Sequence, residues 1–138
     1  RYSWVGEFSQ AIPMLVKKIM DDQNPLEIWG SGNQRRSYIH AHDCARIMQN
    51  LVHKSFSNGP VNIGTESTIS ITELVELICK ICKKNPDLKF NTSMPEGRFI
   101  KSSNNSKFFS IIPKFKYEIS FNEGIMRMIE WYKENFAK

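Results

Sequence analysis

Apolar residues recur along this chain with two different periods. After Ile12-Pro13, Leu15, Val16, Ile19 and Met20 fall at three- and four-residue steps, which predicts a first helix running to about Asp21 with proline in its opening turn. Asn24-Pro25 ends it. Leu26-Glu27-Ile28-Trp29 alternates as a strand does, Gly30-Ser31-Gly32-Asn33 reads as a loop, and Arg36 to His40 resumes extended structure. A second helix carries Cys44, Ile47, Met48, Leu51 and Val52 on one face, with Asp43 as its expected cap. Val61-Asn62-Ile63-Gly64 predicts a short buried strand. Ser70-Ile71-Thr72-Glu73 is a capping box ahead of Leu74, Val75, Ile78, Ile81 and Cys82, predicting a helix from Ile71 to about Lys84. Leu88-Lys89-Phe90 suggests another strand, and Asn105 to Ile111 a short helix stopped by Pro113. A second box, Ser120-Phe121-Asn122-Glu123, opens a final helix buried through Ile125, Met128, Ile129, Tyr132 and Phe136. The expected fold is mixed α/β, with strands too short and scattered for a complete doubly wound sheet.

Composition adds bounds. The 138 residues suit one domain, and 41% hydrophobic with 24% charged is the balance of a globular chain. There is no repeat and no linker, so a single domain over residues 1–138 is expected. Three cysteines, Cys44, Cys79 and Cys82, fit a reducing cytoplasm better than a disulfide framework. No apolar run reaches the roughly 20 residues of a membrane span, and the start lacks a signal-peptide pattern. Neither membrane association nor secretion is expected. A net charge of +5 suggests an anionic ligand or partner, but a solvated basic surface is the commoner meaning of so small an excess.

Few constellations carry chemistry. Cys79 and Cys82 have the spacing of a redox or zinc pair, but no second pair accompanies them and both lie in a helical stripe, so core packing without metal is expected. His40 and His42 lack the acidic cluster a metal site needs. Trp131 and Tyr132 read as core and rim of the last helix. The basic groups from Gly30 to Arg36 and from Pro95 to Lys101 are more suggestive, since a guanidinium forks onto two phosphate oxygens and a lysine adds a point charge. In an extended segment Arg35 and Arg36 point to opposite faces, so only one can enter a cleft.

Five segments in order, AIPMLVKKI, LEIWGSGNQRRSYIHAHD, PVNIGTESTISITELVELI, FNTSMPEGRFIKSSNNSK and EISFNEGIMRMIEWYKEN, resemble the C-terminal, substrate-binding part of the NAD(P)-dependent sugar-nucleotide epimerases, dehydratases and reductases. These form the extended short-chain dehydrogenase/reductase group. The tryptophan of IWGSG and the PEG segment with its following lysine are most similar to the GDP-L-fucose synthases, with the GDP-mannose 3,5-epimerases also similar. The resemblance implies a GDP-sugar substrate. It implies that Arg36 holds the substrate diphosphate, that Lys101 contacts the nucleotide sugar, and that Trp29, Leu15 and Ala11 line the nucleotide pocket. Arg1 to about Glu7 resembles the last Rossmann-side strand.

The departures matter as much. The group's glycine-rich dinucleotide fingerprint and its catalytic Tyr-x-x-x-Lys pair do not occur, and they belong to an N-terminal Rossmann half that this chain lacks. No catalytic residue, cofactor site or metal is therefore expected here. The full-length enzyme would bind NAD or NADP and form a homodimer, and the chain alone would be inactive. Where the GDP-L-fucose synthases have an acid histidine before the IP segment, this chain has Gln10, whose amide cannot shuttle a proton. A stand-alone basic module for nucleotides or nucleic acid, without catalysis, and a truncated scaffold with no ligand are the competing expectations, with nucleic-acid binding the less expected.

Overall fold

The structure is a computed structural model that describes Trp4 and residues 9–54 and 59–136. The described residues form five helices, α1 (Ala11–Met20), α2 (Ala41–Val52), α3 (Ile71–Cys82), α4 (Ser106–Ile111) and α5 (Phe121–Phe136), and five short strands. The strands are β1 (Leu26–Trp29), β2 (Arg35–Arg36), β3 (Ile69–Ser70), β4 (Leu88–Asn91) and β5 (Ile100–Lys101). Strands β1 and β4 pair in parallel, Leu26 opposite Leu88 and Trp29 opposite Asn91. Strand β2 is the centre of a second sheet, antiparallel to β3 and parallel to β5.

The main core forms because α1, α3 and α5 each carry one apolar stripe and close it against the others and against β1. Leu15, Val16 and Ile19 meet Leu26 and Ile28, Leu74, Val75 and Ile78, and Ile125, Ile129 and Tyr132. A smaller cluster of Ile47, Leu51 and Phe108 joins α2 to α4, with Val61, Ile63 and Phe115 packed on it. Helix α3 starts where its box predicts. Ser70 Oγ accepts the Glu73 amide at 3.1 Å while the Glu73 carboxylate accepts the Ser70 amide at 2.7 Å, and such a cap contributes about 1 kcal/mol.

Several expectations change. Asp43 does not cap α2. His40 does, its Nδ1 accepting the His42 amide at 3.2 Å, while Asp43 is buried and reaches across to the segment before α5. Residues 61–64 form no strand. Their apolar side chains are satisfied by the Phe108 cluster, and no ladder partner stands beside them among the described residues. Of the predicted extended run from Arg36 to His40, only Arg36 lies in a strand, with the Ser37 amide adding one bond to the Lys101 carbonyl. The second capping box is half made, because Ser120 Oγ accepts the Glu123 amide but the Glu123 carboxylate turns to Arg127. Phe136, expected inside, is 50% exposed. Of the strand expected over Arg1 to Glu7 only Trp4 is described, buried and stacked on Trp131 at 5.6 Å.

Candidate functional site

Strand β2 sorts its two arginines. Arg36 stands opposite Lys101 in the parallel ladder and Arg35 opposite Ile100. Register partners share a face and consecutive residues do not. Arg36 and Lys101 are thus presented together, with Arg35 behind. Arg35 is committed to the fold: Nε donates to Thr68 Oγ1 at 3.1 Å, Nη2 donates to the Thr68 carbonyl at 2.8 Å, and Nη2 pairs with Glu73 at 3.1 Å.

Arg36 is held at one end. Nη1 donates to the carbonyls of Arg35 at 2.8 Å and Arg98 at 2.7 Å, and Nη2 donates to the carbonyl of Glu96 at 3.2 Å. These bonds tether residues 96–98, a strap between β4 and β5, to the centre of the second sheet. Lys101 follows it, its side chain exposed.

Trp29 closes β1 on the face of the two-stranded sheet that carries Glu27, Lys89 and Asn91, opposite the core, and is 44% exposed. The loop after it runs beneath the strap. Glu96, which the sequence reading did not single out, accepts the Ser31 amide with its carboxylate. Its side chain lies on Gly30, where an added Cβ would come within 2.1 Å of Glu96 Cγ and where φ is +79°. Glycine is required there on both counts. Glu96 therefore links the Trp29 loop to the Arg36 face. The PEG motif was visible in the sequence, but its contact with a loop 65 residues away was not.

The remaining expected site residues lie on α1. Ala11 is exposed at its first position, whereas Leu15 is 2% exposed and its side chain is spent on core packing. Gln10 is exposed just before the helix.

Other candidate groups have structural partners. His42 Nε2 lies 2.9 Å from Glu118 while His40 caps α2, so the two imidazoles serve different neighbours. Among the described residues no three His, Cys, Asp or Glu side chains gather as a metal site would require. Cys79 and Cys82 pack at the core margin, with Cys82 Sγ 3.6 Å from Met20 Sδ. Burial pushes both thiols above their ordinary pKa. Burial also pushes the Asp43 carboxyl upward, but the amides of Glu118 and Ile119 and the Arg46 guanidinium outweigh it and hold the group below the usual carboxylate range.

A dinucleotide is cradled where a glycine-rich turn after a strand opens directly into a helix. The glycine loop after β1 leads instead into β2, and Ser31 gives its amide to Glu96. This loop does not fit NAD(P).

The mixed α/β architecture is consistent with the C-terminal part of the extended short-chain dehydrogenase/reductase fold. Solved structures share it: a UDP-N-acetylglucosamine 4-epimerase from Methanobrevibacter ruminantium superposes with a TM-score of 0.86 at 22% identity, over 99% of this chain and 43% of that one. A GDP-L-fucose synthetase from Naegleria fowleri bound to NADP superposes with a TM-score of 0.82 at 27% identity, over 96% of this chain and 43% of that one. Residues 2–64 match the NAD dependent epimerase/dehydratase family, and the chain is related to that family. A GDP-L-fucose synthase of Sinorhizobium fredii is 28% identical over 133 residues, 94% of this chain and 42% of that relative. The chain thus spans about two fifths of the length of the curated relatives it matches. No described helix is long and apolar enough to cross a membrane.

Proposed function

We propose that this chain is the substrate-binding part of an NAD(P)-dependent nucleotide-sugar epimerase, dehydratase or reductase of the GDP-L-fucose synthase kind, and that its ligand is a GDP-sugar. The observation that carries the reading is the β2–β5 register, which presents Arg36 and Lys101 on one face while Arg35 is committed to Thr68 and Glu73. Two cations on one face, one with guanidinium N–H groups to spare, suit a diphosphate. Trp29, exposed at the end of β1 and joined to this face through Glu96, supplies an aromatic surface for the base. Ala11 completes the nucleotide side, with Leu15 shaping it from within the core. NAD or NADP is bound, and hydride and proton transfer performed, by residues outside this chain, in an enzyme that dimerises in the cytoplasm. The chain alone is inactive.

Calorimetric titration tests this reading. Saturable binding of a GDP-sugar supports it. Salt-steep binding of a polynucleotide with no saturable GDP-sugar binding would replace it with a basic nucleic-acid module.

A further inference from the structure

A guanidinium has five N–H groups. Three of those on Arg36 are taken by the carbonyls of Arg35, Glu96 and Arg98, all at the Nη end. The Nε–H and one N–H on Nη2 are left. The side chain is thus gripped at its far end, and the edge that can still fork onto an anion is fixed by where the strap lies. Three features hold the strap there. Glu96 fastens it to the Ser31 amide, its side chain fits against Gly30, and Gly97, at φ +70°, turns it over Arg36, whose Nη2 lies at ordinary contact distance, 3.6 Å, from where a Cβ would sit.

We propose that Glu96 is a positioning residue: by latching the Pro95–Arg98 strap to the Gly30–Gly32 loop it orients Arg36 for an anionic diphosphate, although it is itself an anion beside that site. The inference rests on the function proposed above and adds a sign that simple electrostatics does not give. A carboxylate near a bound diphosphate repels it, so charge alone makes any neutral substitution at Glu96 tighten binding. A latch makes the outcome depend on hydrogen bonding instead. Glu96→Gln keeps an oxygen that accepts the Ser31 amide and removes the charge, while Glu96→Ala removes both.

The experiment measures the two variants and the parent chain in two ways. The first is amide hydrogen exchange without ligand, followed at Ser31, at Arg35 and Ser37, whose amides donate to the β5 side at Phe99 and Lys101, and at Leu74 and Ile78 in the core as a control for global stability. Glu96→Ala is expected to speed exchange at Ser31 about tenfold, the equivalent of one lost charge-assisted hydrogen bond, with α3 unchanged and Glu96→Gln close to the parent. The second is GDP titration. Glu96→Ala is expected to weaken binding about tenfold, and Glu96→Gln to match the parent or bind more tightly. Unchanged Ser31 exchange in Glu96→Ala overturns the latch. Equal tightening by both variants overturns positioning in favour of plain charge repulsion, and equal weakening by both overturns it in favour of direct contact between carboxylate and ligand. If the parent chain binds no GDP, the proposed function fails and the anion half of the inference falls with it, while the exchange data still decide the latch.

Discussion

Replacing Asp43 by alanine should destabilise the protein by about 3 kcal/mol, far more than an ordinary surface substitution does. The carboxylate is fully buried and accepts the amides of Glu118 at 3.0 Å and Ile119 at 3.0 Å, and Arg46 Nη1 at 2.8 Å. Removing it strands two backbone donors where α2 meets the segment leading to α5, each worth about 1 to 3 kcal/mol when left unsatisfied. The cation adds less than the roughly 3 to 5 kcal/mol of a broken buried pair, because Arg46 keeps Glu118 at 2.8 Å and the Lys116 carbonyl at 3.0 Å. Urea titration followed by circular dichroism measures the change, and with a slope of about 1 to 3 kcal/mol per molar urea the midpoint should fall by roughly 1 to 3 M. A loss below about 1 kcal/mol would refute the reasoning, because it would mean water satisfies both amides. The same group sets an acid limit. Its carboxyl is held below the usual range in the fold, so the unfolded chain takes up the proton first as pH falls. The stabilisation is fully present above the unfolded value of about 3.9 and is lost as pH drops through the lower folded value, and Asp43→Asn should flatten that part of the stability curve.

Arg35→Ala should lower the urea midpoint by releasing β2 from Thr68, yet change GDP-sugar affinity by no more than about twofold; affinity and melting curves of the variant check both. Gly30→Ala should disturb the Trp29 loop and destabilise the fold, because the position combines φ of +79° with Glu96 Cγ at 2.1 Å from a new Cβ, which thermal unfolding will show. Cys79 and Cys82 should react with a thiol reagent more slowly in the folded protein than in urea, burial having raised both thiols. Elemental analysis without chelator should find no stoichiometric zinc, and one zinc per chain surviving dialysis would overturn the packing account of the pair.

How much was legible in the sequence follows from how locally each feature is determined. Helix α3 was readable because its cap, its stripe and its start lie within a dozen residues and agree. Strands β3 and β5 were not: each is two residues long and is extended only because β2 lies beside it. Residues 61–64 have a strand's composition, but burial against Phe108 satisfies the same apolar side chains without a ladder. Asp43 looked like a cap because caps are the common local use of aspartate before a helix, and its real partners lie 75 and 76 residues away. At the site, the opposite facing of Arg35 and Arg36 followed from strand geometry alone. Glu96 did not, because its role depends on two loops meeting. The resemblance points to Leu15 at the nucleotide pocket, whereas its side chain lies in the core.

Arg36, and not its neighbour, is proposed to hold a nucleotide-sugar diphosphate. Titrating a GDP-sugar into the protein and its Arg36→Ala and Arg35→Ala variants tests this proposal most directly. A charge-assisted fork lost from a desolvated site costs about 2 to 5 kcal/mol, so Arg36→Ala should weaken binding roughly 30-fold or more while Arg35→Ala stays near the parent. Equal losses in the two variants, or a larger loss for Arg35→Ala, would contradict the account.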